Sequence, residues 1–391
     1  MSTENHKTRG GELAAVEQWP DALGKLHARV ARRFLRPEVR ERARRYLAGL
    51  LGRVERKNGW QLAEQMGELG PQGAQRLLNA ARWDADAVRD DLREYVVEHL
   101  GDEQSGVLVV DETGFLKKGE KSVGVARQYT GTAGRIENAQ VGVFVAYASE
   151  KGAAFVDRAL YLPREEWADD PLRREEAGVP DEVRFATKGE LAKEMLGRAF
   201  EAKVPARWVV ADTVYGTARG LRGWLEEQGR SYVLAVPSTK GIYHDGRQRQ
   251  ARTVAKSLAE GAWIRASAGR GSKGDRLYDW ACVPLPAPDT AEAGRWLLLR
   301  RDIDDPSELA YYLSYGPKET SVGELIRIAG RRWVIEDCFE ATKAEVGLDE
   351  YEVRKWEAWQ RHTTLCLLAH AYLAVLRSEA AKRGTQSSAP N

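Results

Sequence analysis

Two short apolar runs, each followed directly by an aspartate, place the strongest constraint on the fold. Residues 106–110 (GVLVV) precede Asp111, and residues 207–211 (RWVVA) precede Asp212. Short apolar runs without alternation are typical of strands that are buried on both faces of a sheet. A helical pattern at residues 188–202 comes before the second run, which indicates an α/β fold. Because ligands of open α/β sheets gather beyond the carboxyl ends of the strands, both aspartates are candidate site residues.

The rest of the chain divides by its pattern. Apolar residues at three- and four-residue spacing predict helices before residue 100, whereas short β-like stretches with many turns follow Pro237. One long amphipathic helix is predicted from Ser321, with Glu324 as a capping-box partner, to Gly347. The predicted divisions are an all-helical domain at 1–100, the first part of an α/β core at 101–237, a β-rich insertion at 238–317, the second part of the core with a last helix from Trp356 at 318–380, and a disordered tail at 381–391.

The formal net charge of +2 conceals two basic segments. Residues 25–57 hold twelve Lys and Arg against three acids, and residues 238–276 hold nine against three. Such separation favours a polyanionic partner such as double-stranded DNA, although a solvated helix face explains either segment alone as well. In the first segment, the candidates for phosphate contacts are Arg32, Arg33, Arg36, Arg44 and Arg45.

The sequence also suggests a compartment. It contains no apolar run of about 18 residues or more, and Met1–Gly10 is polar, so we expect neither a membrane span nor a secretory signal. Its three cysteines are widely separated and lack zinc-ligand spacing, which predicts free thiols in a reducing cytoplasm.

A third candidate acid lies on the long helix. Arg332, Glu336 and Lys343 are four and seven residues apart, so they share one helix face. Three carboxylates suit Mg²⁺, which prefers oxygen ligands and keeps several waters. Two such ions, about 3.5–4 Å apart, activate an attacking hydroxyl and stabilise a leaving oxygen in phosphoryl transfer. The two cations would then bind the flanking phosphates, and Trp333 would stack on an unpaired base or pack in the core.

Five motifs in order carry a family resemblance. They are VVDETGFLKKG, SVGVARQYTG, NAQVGVF, VVADTVYG and RRWVIEDCFEATK. Together they resemble bacterial insertion-sequence transposases of the DDE class, over roughly residues 100–375. The last motif is similar to the branch with a Tyr, Arg, Glu, Lys signature. The position of the signature's tyrosine is Ala329 in this chain, so a contact from that ring to DNA is not expected.

The resemblance implies a fold and a mechanism. The fold is a ribonuclease-H-like core interrupted by a β-rich insertion before the glutamate helix. Asp111, Asp212 and Glu336 correspond to the catalytic, metal-binding triad, and Arg332 and Lys343 to the basic pair. The implied activity is hydrolysis at transposon ends and transfer of the 3′-hydroxyl into target DNA. It would use two Mg²⁺ ions, or Mn²⁺ in their place, within a DNA-bound homodimer on the bacterial nucleoid.

Several alternatives stay open at this stage. Asp111 alone is also typical of a loop or helix cap, and Glu336 of a helical ion pair with Arg332. A shift of the assignment by one position is possible, because acids neighbour the chosen ones at Glu112, Asp337 and Glu340. Other functions are an aspartyl-phosphate phosphatase or ATPase, a metal-dependent nuclease, and a transposase-derived DNA-binding protein that no longer cuts. Helix packing is the expected role of His362 and His370.

Overall fold

The structure is a computed structural model that describes residues 19–271, 274–287 and 292–387. It begins with helices, which is the pattern predicted for this part of the chain; residues 1–18 lie outside the described residues. The first five helices are α1 (Trp19–Ala31), α2 (Pro37–Leu51), α3 (Gly59–Gln65), α4 (Gln72–Asn79) and α5 (Ala85–Leu100).

Several of these helices begin at a residue that favours a helix N-terminus. Pro37 stands at the first position of α2, where its missing N–H costs no helical hydrogen bond. The side chain of Asn58 caps α3, and that of Asp84 caps α5 by accepting from the backbone N–H of Asp86 at 2.8 Å. The apolar faces meet in a core that includes the rings of Phe34 and Trp83, which are tilted by 45° with centroids 5.0 Å apart.

A mixed ten-stranded sheet forms the centre of the fold. The strands of its first half are β1 (Val107–Leu116), β2 (Ala126–Thr130), β3 (Arg135–Ser149), β4 (Gly152–Tyr161), β5 (Trp208–Ala211) and β6 (Ser231–Val236). They pair in the order β2-β3-β1-β5-β6, and β4 pairs with β3. The helices among them are α6 (Pro171–Ala177), α7 (Lys188–Glu201), α8 (Thr213–Gly216) and α9 (Leu221–Glu227). A mixed α/β architecture was predicted and is confirmed.

The strand β1 is longer than the sequence predicts. It pairs in parallel with β5 only as far as Val110, opposite Ala211, but continues antiparallel to β3 as far as Leu116. Asp111 therefore lies within a strand and not after its end, which corrects the prediction. The prediction stopped early because polar residues interrupt the apolar run at Asp111 and Glu112.

The region after residue 237 is rich in strands. The elements are β7 (Gly241–His244), β8 (Arg247–Gln250), α10 (Ala251–Lys256), β9 (Ile264–Gly271), β10 (Gly274–Leu285), β11 (Ala293–Arg301) and β12 (Leu309–Pro317). Strand β12 pairs with β6, and the central sheet continues from it in the order β12-β11-β10-β9. Strands β7 and β8 pair with each other in a separate two-stranded sheet. The short helix α10 corrects the expectation that helices are absent here.

Two helices replace the single long helix predicted after Ser321. They are α11 (Val322–Gly330) and α12 (Trp333–Val346), and the helical conformation is interrupted between them at Arg331. At the end of α11 a Cβ on Gly330 would stand 1.8 Å from the carbonyl oxygen of Ala268, so the helix end lies directly against the backbone of β9. Both predicted outer limits are confirmed: the Ser321 hydroxyl caps α11, and Gly347 ends α12 in the left-handed region at φ +67°.

The last helix, α13 (Trp356–Ser387), packs against β4 and α5. It is longer than predicted, because residues 381–387 are helical where disorder was expected; residues 388–391 lie outside the described residues. His362 and His370 are buried in it, as expected, and burial lowers the pKa of His362 to about 3. None of the described helices is long and apolar enough to cross a bilayer.

The contact of α11 with β9 predicts opposite effects for two glycines of one helix. Gly330→Ala should lower the free energy of unfolding by about 1–3 kcal/mol, because the new methyl group overlaps a backbone oxygen. Gly323 is exposed, and its nearest neighbour would be 3.9 Å away, so Gly323→Ala should raise it by up to about 1 kcal/mol. Chemical denaturation of both variants measures this, and equal effects would contradict the close contact.

Candidate active site

The register of two parallel strands brings two aspartates together. Val110 and Ala211 are the last parallel partners of β1 and β5, and the next residues are Asp111 and Asp212. At that point the chain leaves β5, and the Asp212 carboxylate begins α8 by accepting from the backbone N–H of Val214 at 2.9 Å. The pairing of the strands therefore fixes the two carboxylates as neighbours.

Three carboxylates meet at this point of the sheet. Oxygens of Asp111, Glu112 and Asp212 all lie within 4.8 Å of one another, and all three residues are partly buried. Two of the three acids expected from the sequence are in this group, together with Glu112, which the sequence suggested only as a neighbour. Clustered carboxylate oxygens are the ligands that Mg²⁺ and Mn²⁺ prefer, so the donor set fits a divalent cation.

Like charges crowd this cluster. Burial, followed by the charge of Asp212, raises the pKa of Asp111 to about 7. Burial, followed by the charge of Glu112, likewise raises the pKa of Asp212. Each carboxylate therefore disfavours the charge of the next, and a bound divalent cation would offset that repulsion.

Arg332 stands between the cluster and Glu336. Its guanidinium lies 3.7 Å from an oxygen of Asp111 and forms an ion pair with Glu336 on the first turn of α12. The side chain of Glu336 is half exposed, with an exposed fraction of 50%, and it lies outside the group of three carboxylates. The helical ion pair that the spacing allows is thus formed, and Arg332 links the two acidic positions.

Lys343 also faces the site from α12. Its ammonium donates to the Thr113 hydroxyl at 2.8 Å, two residues beyond Asp111 on β1. Burial lowers the pKa of Lys343. The hydroxyl of Thr113 lies 3.4 Å from that of Thr132, whose own hydroxyl donates to the carbonyl oxygen of Gly114 at 3.0 Å, so the loop after β2 closes over this end of β1.

Trp333 stacks on an aromatic ring of the protein. Its ring is nearly parallel to that of Tyr278 on β10, at 9° with centroids 6.1 Å apart. The guanidinium carbons of Arg276 and Arg300 lie 4.9 Å and 5.2 Å from its centroid. Trp333 is half-buried against the outer strands, in contact with the core but not at its centre.

Sequence reasoning missed two residues that hold Glu112. Lys188 donates to one oxygen of Glu112 at 2.8 Å, and the Tyr215 hydroxyl donates to the other at 2.6 Å. Lys188 begins α7, directly after the capping-box residue Thr187. Tyr215 lies three residues after Asp212 in the motif VVADTVYG, which is the one signal that could have indicated it.

Most of the arginines proposed for DNA contacts in the first basic segment already have carboxylate partners. Asp91 on α5, whose side chain is fully buried, binds Arg32 at 2.7 Å and Arg33 at 2.6 Å. Arg44 and Arg45 both pair with Glu41 on their own helix. Arg36 is exposed immediately before α2. Much of the basic charge of residues 25–57 is therefore neutralised within the fold.

Two comparisons with known proteins found similarities. A sequence model described as DDE superfamily endonuclease matches residues 29–291, two thirds of the chain. A protein of Microchaete diplosiphon described as "Probable transposase for insertion sequence element IS701" is 30% identical over 206 residues. The similarity covers 52% of this chain and 50% of the relative, so the chain spans about half the length of that curated relative.

The raised pKa of Asp111 predicts how stability depends on pH in EDTA. An unfolded aspartate ionises near pH 4, whereas Asp111 in the folded chain stays protonated up to about pH 7. The folded state is thus stabilised by binding this proton. The stabilisation is complete below pH 4 and is lost as the pH rises through 7. Asp111→Asn cannot ionise, so between pH 5 and pH 8 the unmodified protein should lose at least about 1 kcal/mol more stability than the variant. Thermal unfolding at both pH values measures this; parallel losses would contradict the burial of the Asp111 charge.

Proposed function

The chain belongs to the DDE superfamily of endonucleases, and from that premise we propose that it is a DNA transposase of the bacterial insertion-sequence type. The observation that supports this most directly is the register of β1 and β5, which sets Asp111 beside Asp212. The similarity to a protein described as a transposase supports the same reading. The mixed sheet from β1 to β6, with helices among its strands, is consistent with the proposed ribonuclease-H-like core.

We propose that Asp111, Asp212 and Glu336 hold two Mg²⁺ ions, with Mn²⁺ as a substitute. Bound there, the ions would activate a water or 3′-hydroxyl and stabilise the leaving oxygen of the phosphodiester. The raised pKa of Asp111 supports this assignment, because burial and then the charge of Asp212 disfavour its ionised form, which a bound cation would favour. Glu336 would join the site after exchanging its ion pair with Arg332.

The basic residues of α12 would bind the DNA backbone. Arg332 is well suited to the exchange, since a guanidinium binds carboxylate and phosphate with the same planar pair of donors. Lys343, now on the Thr113 hydroxyl, would offer a point charge to a neighbouring phosphate. Trp333, half-buried beside Tyr278, has a ring that could stack on an unpaired base if Tyr278 moved aside.

Several finer features complete the proposal. The freed 3′-hydroxyl would be transferred to target DNA within a homodimer assembled on double-stranded DNA in the nucleoid. The helices α1–α5 would bind DNA phosphates without regard to base sequence. The candidates are the exposed Arg36, and Arg32, Arg33, Arg44 and Arg45 after release of their carboxylates. Residues 238–317, which contain β7–β12, would form the insertion that precedes the glutamate-bearing helix.

A second candidate is a DNA-binding protein of the same ancestry that has lost cutting. The observation that favours it is the position of Glu336, which is half exposed and paired with Arg332 outside the carboxylate cluster. A cleavage assay distinguishes the two functions, because only the transposase would cut DNA. Covalent joints between donor and target DNA would further separate a transposase from a nuclease that only cuts.

The proposal predicts that Glu336→Gln abolishes metal-dependent cleavage and leaves DNA binding nearly intact, because the variant removes a metal-binding charge and no phosphate-binding cation. The substrate is DNA carrying the inverted repeats that flank the gene, incubated with Mg²⁺ or EDTA and separated on a denaturing gel. Glu340→Gln, one turn further along the same helix and exposed, is the matched control and should cut normally. A Glu336→Gln protein that still cuts, or loss of cutting in Glu340→Gln, would contradict the assignment.

A further inference from the structure

We infer that Glu112 is a metal ligand of this site and that Tyr215 and Lys188 are positioning residues for it, an inference that rests on the proposed function. The carboxylate of Glu112 has an oxygen within 4.8 Å of both aspartates, and its side chain is only 17% exposed. Glu336 has neither property. In the protein without DNA, the set that binds a divalent cation is therefore Asp111, Asp212 and Glu112.

The two donors fix the orientation of this carboxylate. Lys188 donates to Oε1 at 2.8 Å, and Tyr215 donates to Oε2 at 2.6 Å. Each carboxylate oxygen has two lone-pair sites, so both oxygens keep a site for a metal after accepting these hydrogen bonds. Carboxylates that ligate metals are themselves hydrogen-bonded in this way, which orients them before the metal arrives.

Both donors stand on elements that the site itself organises. Tyr215 is fully buried on α8, the short helix that the Asp212 carboxylate begins. One turn of chain thus carries a ligand and the residue that orients another ligand. Lys188 begins α7 beside a capping box, in which the Thr187 hydroxyl accepts from the backbone N–H of Glu190 at 3.3 Å and Glu190 accepts from that of Thr187 at 2.7 Å. Neither donor therefore needs to reorganise on metal binding.

The contrasting interpretation is that Lys188 and Glu112 form a structural ion pair without a role in metal binding. The side chains of Lys188 and Glu112 are 21% and 17% exposed. A purely structural pair would contribute to stability alone, and its removal would leave metal affinity unchanged. Metal affinity in the absence of DNA distinguishes the two interpretations. Metal affinity is also measured without cleavage, so a failure of this inference can be told apart from a failure of the proposed function.

The experiment measures Mn²⁺ binding to the full chain without DNA, by titration calorimetry and by the electron paramagnetic resonance of free Mn²⁺. Glu112→Gln should weaken binding about tenfold to a hundredfold, and more than Glu336→Gln does. Tyr215→Phe removes one hydroxyl from the buried ring and should weaken it about tenfold. In the double variant that combines Glu112→Gln with Tyr215→Phe, the second substitution should cause no further loss of Mn²⁺ affinity, because the hydroxyl acts through Glu112. Glu340→Gln should bind as the unmodified protein does.

The outcomes are distinguishable. If Asp111→Asn abolishes Mn²⁺ binding while Glu112→Gln binds normally, the inference is overturned and the proposed function stands. A different result is that Tyr215→Phe weakens Mn²⁺ binding by the same factor in the Glu112→Gln protein as in the unmodified protein. That result would overturn the positioning role, because the hydroxyl would then act without Glu112. Thermal unfolding in EDTA identifies variants that fail to fold. If Glu112→Gln fails to fold, Tyr215→Phe becomes the test variant. Unchanged Mn²⁺ affinity of the Tyr215→Phe protein would then overturn the inference.

Discussion

The candidate site depends on the parallel pairing of β1 with β5, because this pairing brings two carboxyl groups into one small volume. Val110 and Ala211 are the last paired residues, and the carboxylates that follow cannot separate without breaking the sheet. Burial raises the pKa of both aspartates, which shows that the fold holds them in an arrangement that disfavours their charge. Such an arrangement is stable and useful where a divalent cation offsets the repulsion.

Cationic side chains surround this centre, and each has a partner within the protein. Arg332 lies against Asp111 and pairs with Glu336, Lys188 pairs with Glu112, and Lys343 donates to Thr113. Under the proposed function, phosphates of a bound DNA strand would compete for Arg332 and Lys343, and Glu336 would then be free to approach the carboxylate cluster. Lys188 would remain with Glu112, since the Tyr215 hydroxyl holds the same carboxylate from its other oxygen.

The sequence predicted the features that depend on local pattern. Apolar runs indicated the strand that contains Asp111 and the strand that precedes Asp212. Capping residues indicated the helix start at Ser321 and the helix end at Gly347. The errors have tertiary causes. The break at Arg331 interrupts a continuous helical pattern where Gly330 meets the backbone of β9, and β1 continues past Asp111 because β3 supplies its partners. The contacts of Glu112 join residues 76 and 103 positions apart, which no local pattern encodes.

The position of a bound metal is the most direct test of whether β1 and β5 build a metal site. Crystals of the protein grown with Mn²⁺ would reveal this position by anomalous scattering, without any assumption about DNA sequence. We expect an anomalous peak within bonding distance of carboxylate oxygens of both Asp111 and Asp212. A peak elsewhere in the chain, or none at a Mn²⁺ concentration that saturates binding in solution, would contradict the claim that the register of β1 and β5 builds a metal site.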